Sequence, residues 1–317
     1  MDTENSWFDK NPTARKIIFI SAMVLCLFPI ISPPIALFMG IIVALFVGHP
    51  YMHLNSKATT LLLQFSVVGL GFGMNISDAM KAGKEGFLFT VVSIFGTLAL
   101  GYFLGKALKI DKKISYLIST GTAICGGSAI AAVSPVIKAE EKQISVALGT
   151  VFILNSVALF IFPSIGHYLN LTDKQFGIWC AIAIHDTSSV VGASSKFSDA
   201  ALQIATTVKL ARALWIIPIA FFSTLLFKSK DAKIKIPYFI GYFVLAMIAN
   251  TYFSFVQEYS HIMTTIAKIG LTVTLFLIGS GLSKKVLYSV GVKPLVQGII
   301  LWIVILLASL WAVMSIV

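Results

Sequence analysis

The chain has 317 residues, of which 57% are hydrophobic and 12% charged, with a mean hydropathy of +0.92 and a formal net charge of +11. Soluble domains run at about 45–50% apolar and about 25% charged, so this composition excludes an ordinary soluble fold and reads as an all-α polytopic membrane protein. The positive charge sits in short loops between apolar runs, which argues against nucleic acid as a partner.

Residues 1–16 form a polar leader carrying Lys10, Arg15 and Lys16. The apolar run that follows, 17–31, has no small-residue cleavage site and re-enters apolar sequence after Pro33-Pro34. It therefore reads as an uncleaved span and not as a signal peptide. A spanning helix takes about 20 mostly apolar residues. Eleven segments approach this: 17–31, 35–47, 58–76, 87–108, 114–137, 142–162, 176–194, 201–227, 237–256, 262–282 and 293–316. The second is short, and the first two could together form one broken hairpin.

If all eleven cross, 16 of the 24 Lys and Arg residues fall on the N-terminal side, 5 on the other, and Lys209, Arg212 and Lys268 inside segments. That asymmetry places the N-terminus in the cytoplasm and the C-terminus outside. The count barely changes if 114–137 and 176–194 both re-enter, so crossing and re-entry stay open for those two. Residues 17–317 are expected to form one transmembrane domain with halves at about 17–166 and 174–317. Residues 59–83 and 264–291 both run from Thr-Thr through an apolar stretch to a glycine-rich patch and a short polar exit. Under the eleven-span count they run in opposite directions, as inverted repeats of secondary transporters do.

Within the fifth segment, residues 121–135 read GTAICGGSAIAAVSP. Backbone groups left unpaired in hydrocarbon cost several kcal/mol each, so Gly126-Gly127 at mid-span predicts a helix break sheltered by protein or lining a watery cavity. The exposed amides of the second half-helix would favour an anion, with Cys125, Gly126 and Gly127 at the break. Ser128 and Thr122 would add hydroxyl donors. Close helix packing by small residues is the competing explanation. Cys26, Cys125 and Cys180 all lie in apolar runs, with neither disulfide nor zinc spacing, and no metal or cofactor is expected.

The seventh segment carries AIHDTSSVVGASS, residues 183–195. Ionisable residues inside a membrane by default mark a pathway or site, so His185 and Asp186, with Thr187 and Ser188, predict a second break. The alternative is a segment that ends at Ile184. The eighth segment carries TTVKLARALWIIP, where Lys209 and Arg212 share a helix face. They either snorkel to the interface or face the cavity, pairing with Asp186 or with an anionic substrate. No P-loop, GxSxG or HExxH motif is present.

Four stretches together resemble the YeiH-like family of bacterial membrane proteins, labelled sulfate exporters: VGLGFGMNI (68–76), GTAICGGSAIAAVSPVIKAE (121–140), AIHDTSSVVGAS (183–194) with VKLARALWIIP (208–218), and GLTVTLFLIGSGL (270–282) with GVKP (291–294). The resemblance runs from about residue 33 to the C-terminus. It implies the architecture of cation/proton antiporters and bile-acid transporters: two inverted repeats, a core and a panel domain, and broken helices crossing at mid-membrane. Where the family carries small or amide residues after the carboxylate, this chain has Ser188-Ser189.

The reading that follows is a secondary transporter, not an enzyme, for a small anion such as sulfate or an organosulfonate. Cys125–Ser128 and Thr122 would hold the oxyanion beside His185, Thr187 and Ser188, Lys209 and Arg212 would supply charge, and His185 and Asp186 would couple a proton or sodium. The partners are then the anion and the lipid bilayer, with a homo-oligomer left open. The alternative is a cation/proton antiporter in which Asp186 carries the ion and Lys209 competes with it. A remote third is an intramembrane cysteine hydrolase using Cys125, His185 and Asp186.

Overall fold

The computed structural model of the chain describes residues 11–28, 30–227, 238–282 and 290–317. Most of the leader, residue 29 of the first expected span, and the lysine-bearing stretches 228–237 and 283–289 lie outside the described residues. Among the described residues all regular structure is helical. The chain divides into two compact units, Met1–Asn75 with Phe239–Leu287, and Ile76–Tyr238 with Tyr288–Val317.

The first unit contains α1 (Pro12–Leu25), α2 (Pro33–Ile42) continued by a π-helical turn Val43–Val47, α3 (Met52–Gly71), most of α12 (Tyr238–Tyr252), and α13 (Ser254–Gly281). Both α1 and α2 open on prolines, whose missing N–H costs nothing in a first turn. The first two apolar segments are thus separate helices. Gly40 of α2 and Gly279 of α13 bring two backbones together, since a Cβ on either would collide with the main chain of the other helix. Phe19, Cys26, Ala36, Val43, Val273, Phe276 and Leu277 form the buried core of this unit.

The second unit holds α4 (Ile76–Ala107), α5 (Lys112–Ala123), α6 (Gly127–Val133), α7 (Glu141–Tyr168), α8 (Asp173–Ala183), α9 (Thr187–Phe197), α10 (Asp199–Ala213), α11 (Ile216–Leu226) and α14 (Val292–Ile316). Local chemistry sets several starts. Asp111 caps α5 by accepting from the amides of Lys113 and Ile114, and Thr172 with Gln175 forms a capping box on α8. The turn between α10 and α11 has a stated cause in Pro218, whose ring crowds the carbonyl of Leu214 four residues back. Leu117, Ile118, Ile130, Val133, Ile137, Ala147, Val151 and Leu301 are buried together between α5, α6, α7 and α14.

Five described helical runs are long and apolar enough to cross a membrane: Gly86–Ala107, Lys142–Tyr168, Asp199–Leu226, Ser254–Gly281 and Val292–Ile316. Two expected segments are interrupted where the sequence carries its glycines and its His-Asp pair. The first break separates α5 from α6 at Ile124–Gly126, and the second separates α8 from α9 at Ile184–Asp186. Both lie in the second unit.

Candidate functional site

A helix leaves its last four carbonyls without intrahelical partners, and a break deep in a core must satisfy them with side chains. The C-terminal end of α8 does so carbonyl by carbonyl. Lys209 donates from Nζ to Ala181 at 3.2 Å and to Ile184 at 2.7 Å. Arg212 donates from Nη1 to Ile182 at 3.0 Å, and Trp302 of α14 donates from Nε1 to Ala183 at 3.1 Å. Arg212 also donates from Nε to Ala123, the last residue of α5, at 2.6 Å. One guanidinium therefore ties the two breaks together.

Lys209 and Arg212 are both fully buried. Removing a cation from water costs several kcal/mol even after relaxation. A helix C-terminus carries about half a negative charge, and two such ends face this pair, which offsets part of that cost. Lys209 and Arg212 therefore do not snorkel. Their hydrogen bonds go to carbonyls and not to Asp186.

Asp186 works at the opposite kind of helix end. It is the N-cap of α9, where its Oδ1 accepts from the Ser189 amide at 2.9 Å and its Oδ2 accepts from the Ser188 hydroxyl at 2.9 Å. A carboxylate beside the positive end of a helix is well placed electrostatically. The two breaks meet at this residue. Gly126 adopts φ +65, and a Cβ there would stand 3.1 Å from the Asp186 Cβ and 3.3 Å from its Cα and amide nitrogen. Only glycine gives both the backbone conformation and the close approach.

The remaining residues singled out by sequence divide into two groups. Thr122, Cys125, Gly126, His185, Thr187 and Ser188 are buried around the breaks. Ser128 is exposed and Gly127 half-buried against Phe152 and Leu148, so neither shares that interior. The Gly126 amide is already spent on the Gly121 carbonyl at 2.8 Å, and α6 has only seven residues. The Gly126 amide is therefore not free for a ligand at the first break.

The junction also presents a set of buried polar atoms without a partner among the described residues. Thr122 Oγ1, both ring nitrogens of His185 and Arg212 Nη2 are all of this kind. Native interiors pair the large majority of such atoms, so each calls for an explanation. The guanidinium N–H can only donate, the hydroxyl and the imidazole can each donate as well as accept, and the basic side chains of Lys209 and Arg212 stand beside them with Asp186. The donor set suits an oxyanion.

Two residues that contribute here were not singled out by sequence reasoning. Trp302 caps the Ala183 carbonyl, and Asn155 of α7 accepts the His185 amide at 3.0 Å through Oδ1. The available signal for Asn155 was a carboxamide in the middle of an apolar run, ILNSVALF. Nothing local marks Trp302, because its partner lies 119 residues away.

Comparison with known proteins places the chain among membrane proteins. A family model described as "Conserved hypothetical protein 698" matches residues 16–298. A UPF0324 membrane protein of Bacteroides thetaiotaomicron is 58% identical over 282 residues, covering 88% of this chain and 86% of the relative. One from Porphyromonas gingivalis is 54% identical over 284 residues, covering 88% and 86%. One from Photobacterium profundum is 52% identical over 302 residues, covering 95% and 92%. No solved structure matches.

Proposed function

The chain belongs to the YeiH-like family, that of conserved hypothetical protein 698 and the UPF0324 membrane proteins, and from this premise we propose that it is a secondary transporter of a small oxyanion. Sulfate and organosulfonates are the substrate class. In this reading the eleven apolar segments cross the membrane, the chain is built from two inverted repeats, and the two broken helices form the transport site. Energy comes from a proton or sodium gradient through His185 and Asp186, and no reaction is catalysed.

One observation carries the reading. The meeting point of the breaks buries Lys209 and Arg212 and leaves Arg212 Nη2, the Thr122 hydroxyl and the His185 ring without partners among the described residues. A cation arriving there meets the Arg212 guanidinium, whose free N–H group has no lone pair to offer it. An oxyanion meets charge of the opposite sign and hydrogen bonds that are waiting to be made. The cation/proton antiporter reading puts its ion on Asp186, whose carboxylate oxygens already serve Ser188 and Ser189.

Flux across proteoliposomes tests the proposal. Labelled sulfate or methanesulfonate should exchange across vesicles containing the protein and not across empty ones, with a rate that responds to an imposed pH or sodium gradient. Sodium-dependent proton release without anion flux would replace this reading with the antiporter.

A further inference from the structure

Asn155 lies in the middle of α7, is 2% exposed, and sits outside every motif that marks the two breaks. Its Oδ1 accepts the His185 amide hydrogen at 3.0 Å. A backbone N–H can only donate, so the carboxamide is held one way round. The oxygen is spent on His185, and Nδ2 is the atom left over, buried and without a partner among the described residues.

Nδ2 is not alone. Thr122 Oγ1, Arg212 Nη2 and the two His185 ring nitrogens are also buried and without partners. These groups come from four places in the second unit: α5, α7, the second break and α10. Hydrogen bonds link them into one neighbourhood. Thr122 precedes Ala123, whose carbonyl holds Arg212 Nε, and Arg212 Nη1 holds Ile182 just before the second break. That break contains His185, which Asn155 holds in turn. Gly126 stands against Asp186 between them. A core normally tolerates a few unpaired polar atoms scattered over 100 residues, not a group of them on connected elements.

The chemistry of the group restricts its ligand. Arg212 Nη2 and Asn155 Nδ2 have hydrogens and no usable lone pair, so both require an acceptor. A cation satisfies neither. A ligand with several lone-pair oxygens around one centre satisfies both and has oxygens left for Thr122 and for whichever His185 nitrogen carries the proton. Resting on the anion reading above, we propose that Asn155 is a specificity-determining residue of the transport site. Clamped by the His185 amide, it can present only a donor, and it shares a sulfate- or sulfonate-class oxyanion with Arg212 Nη2 and Thr122 Oγ1.

Two substitutions separate binding from folding. Asn155→Asp keeps an oxygen for the His185 amide but replaces the free donor with an acceptor and adds a negative charge. Thr122→Val keeps the shape of the side chain and removes a hydroxyl that bonds nothing in the protein. The full chain in detergent is melted against increasing sulfate and methanesulfonate, with chloride at matched ionic strength as control. A ligand that binds only the folded protein raises the melting temperature by mass action. For the wild type a rise with the oxyanions and not with chloride is expected. For Asn155→Asp the oxyanion response should weaken by about tenfold or more in concentration. Thr122→Val should melt at or above the wild type without ligand and respond less to the oxyanion.

If the wild type responds and both variants respond equally, this assignment is wrong while the anion reading stands, and water satisfies these atoms. If no oxyanion stabilises the wild type, the anion reading falls and takes the assignment with it. Should Asn155→Asp fail to fold, Asn155→Ser replaces it under the same criterion, because a hydroxyl leaves room for water beneath His185 but cannot reach as the carboxamide does. An undiminished oxyanion response in that variant overturns the assignment.

Discussion

Arg212 contributes two hydrogen bonds to two different helix ends, to Ala123 through Nε and to Ile182 through Nη1. A planar fork can span them; a single ammonium on a shorter reach cannot. Arg212→Lys should therefore leave at least one carbonyl unsatisfied and lower stability by about 1–3 kcal/mol, read as a reduced melting temperature in detergent. A melt identical to the wild type would mean that the carbonyls find other donors. Asp186 invites the opposite experiment. Asparagine caps a helix about as well as aspartate, so Asp186→Asn should fold with stability within about 1 kcal/mol of the wild type. If Asp186 carries the coupling proton, the same variant loses the response of uptake to an imposed pH gradient. Uptake that stays gradient-driven moves the coupling role to another group.

At the scale of the element, the breaks are the unusual feature, and each has a local cause. α8 stops because its final carbonyls are taken by Lys209, Arg212 and Trp302, and α9 starts because Asp186 caps it. The first break depends on Gly126 at φ +65, pressed against Asp186. A non-glycine residue there meets both a disfavoured backbone conformation and a neighbour with no free space. Gly126→Ala should cost about 1–3 kcal/mol and disturb the junction of the breaks. Lower melting temperature together with lost oxyanion response is the expected pair of results; a fully wild-type protein would show that the two breaks can part without consequence.

For the whole molecule, the proposed crossing of all eleven segments places 16 lysine and arginine residues on one side and 5 on the other. Short loops rich in these residues stay in the cytoplasm. If all eleven proposed segments cross, the two ends of the chain lie on opposite faces. A periplasmic phosphatase fused after Val317 should be active, and a fluorescent reporter that matures only in the cytoplasm should stay dark there. The reverse pattern requires an even number of crossings, which one re-entrant broken segment would produce. The two compact units interleave along the chain, each taking a stretch from the first part and a stretch from the last.

The sequence by itself determined the membrane class, the helical character of the apolar segments and the positions of both breaks. These follow from local physics: the length of an apolar run, the cost of unpaired backbone in hydrocarbon, and the conformations open to Gly126 or favoured by Asp186 as a cap. It also brought Thr122, His185, Lys209 and Arg212 forward as candidates, because charged and hydroxyl groups stand out in an apolar segment. Only the tertiary structure decided what each of them touches. Arg212 reaches Ala123 across 89 residues, Asn155 reaches His185 across 30, and Trp302 reaches Ala183 across 119. Ser128 looks as suitable as Thr122 in sequence, yet one is exposed and the other fully buried. Periodicity shows which residues share a face of their own helix. The partner of a buried donor is set by which other helix packs there, and that depends on contacts far apart in the chain.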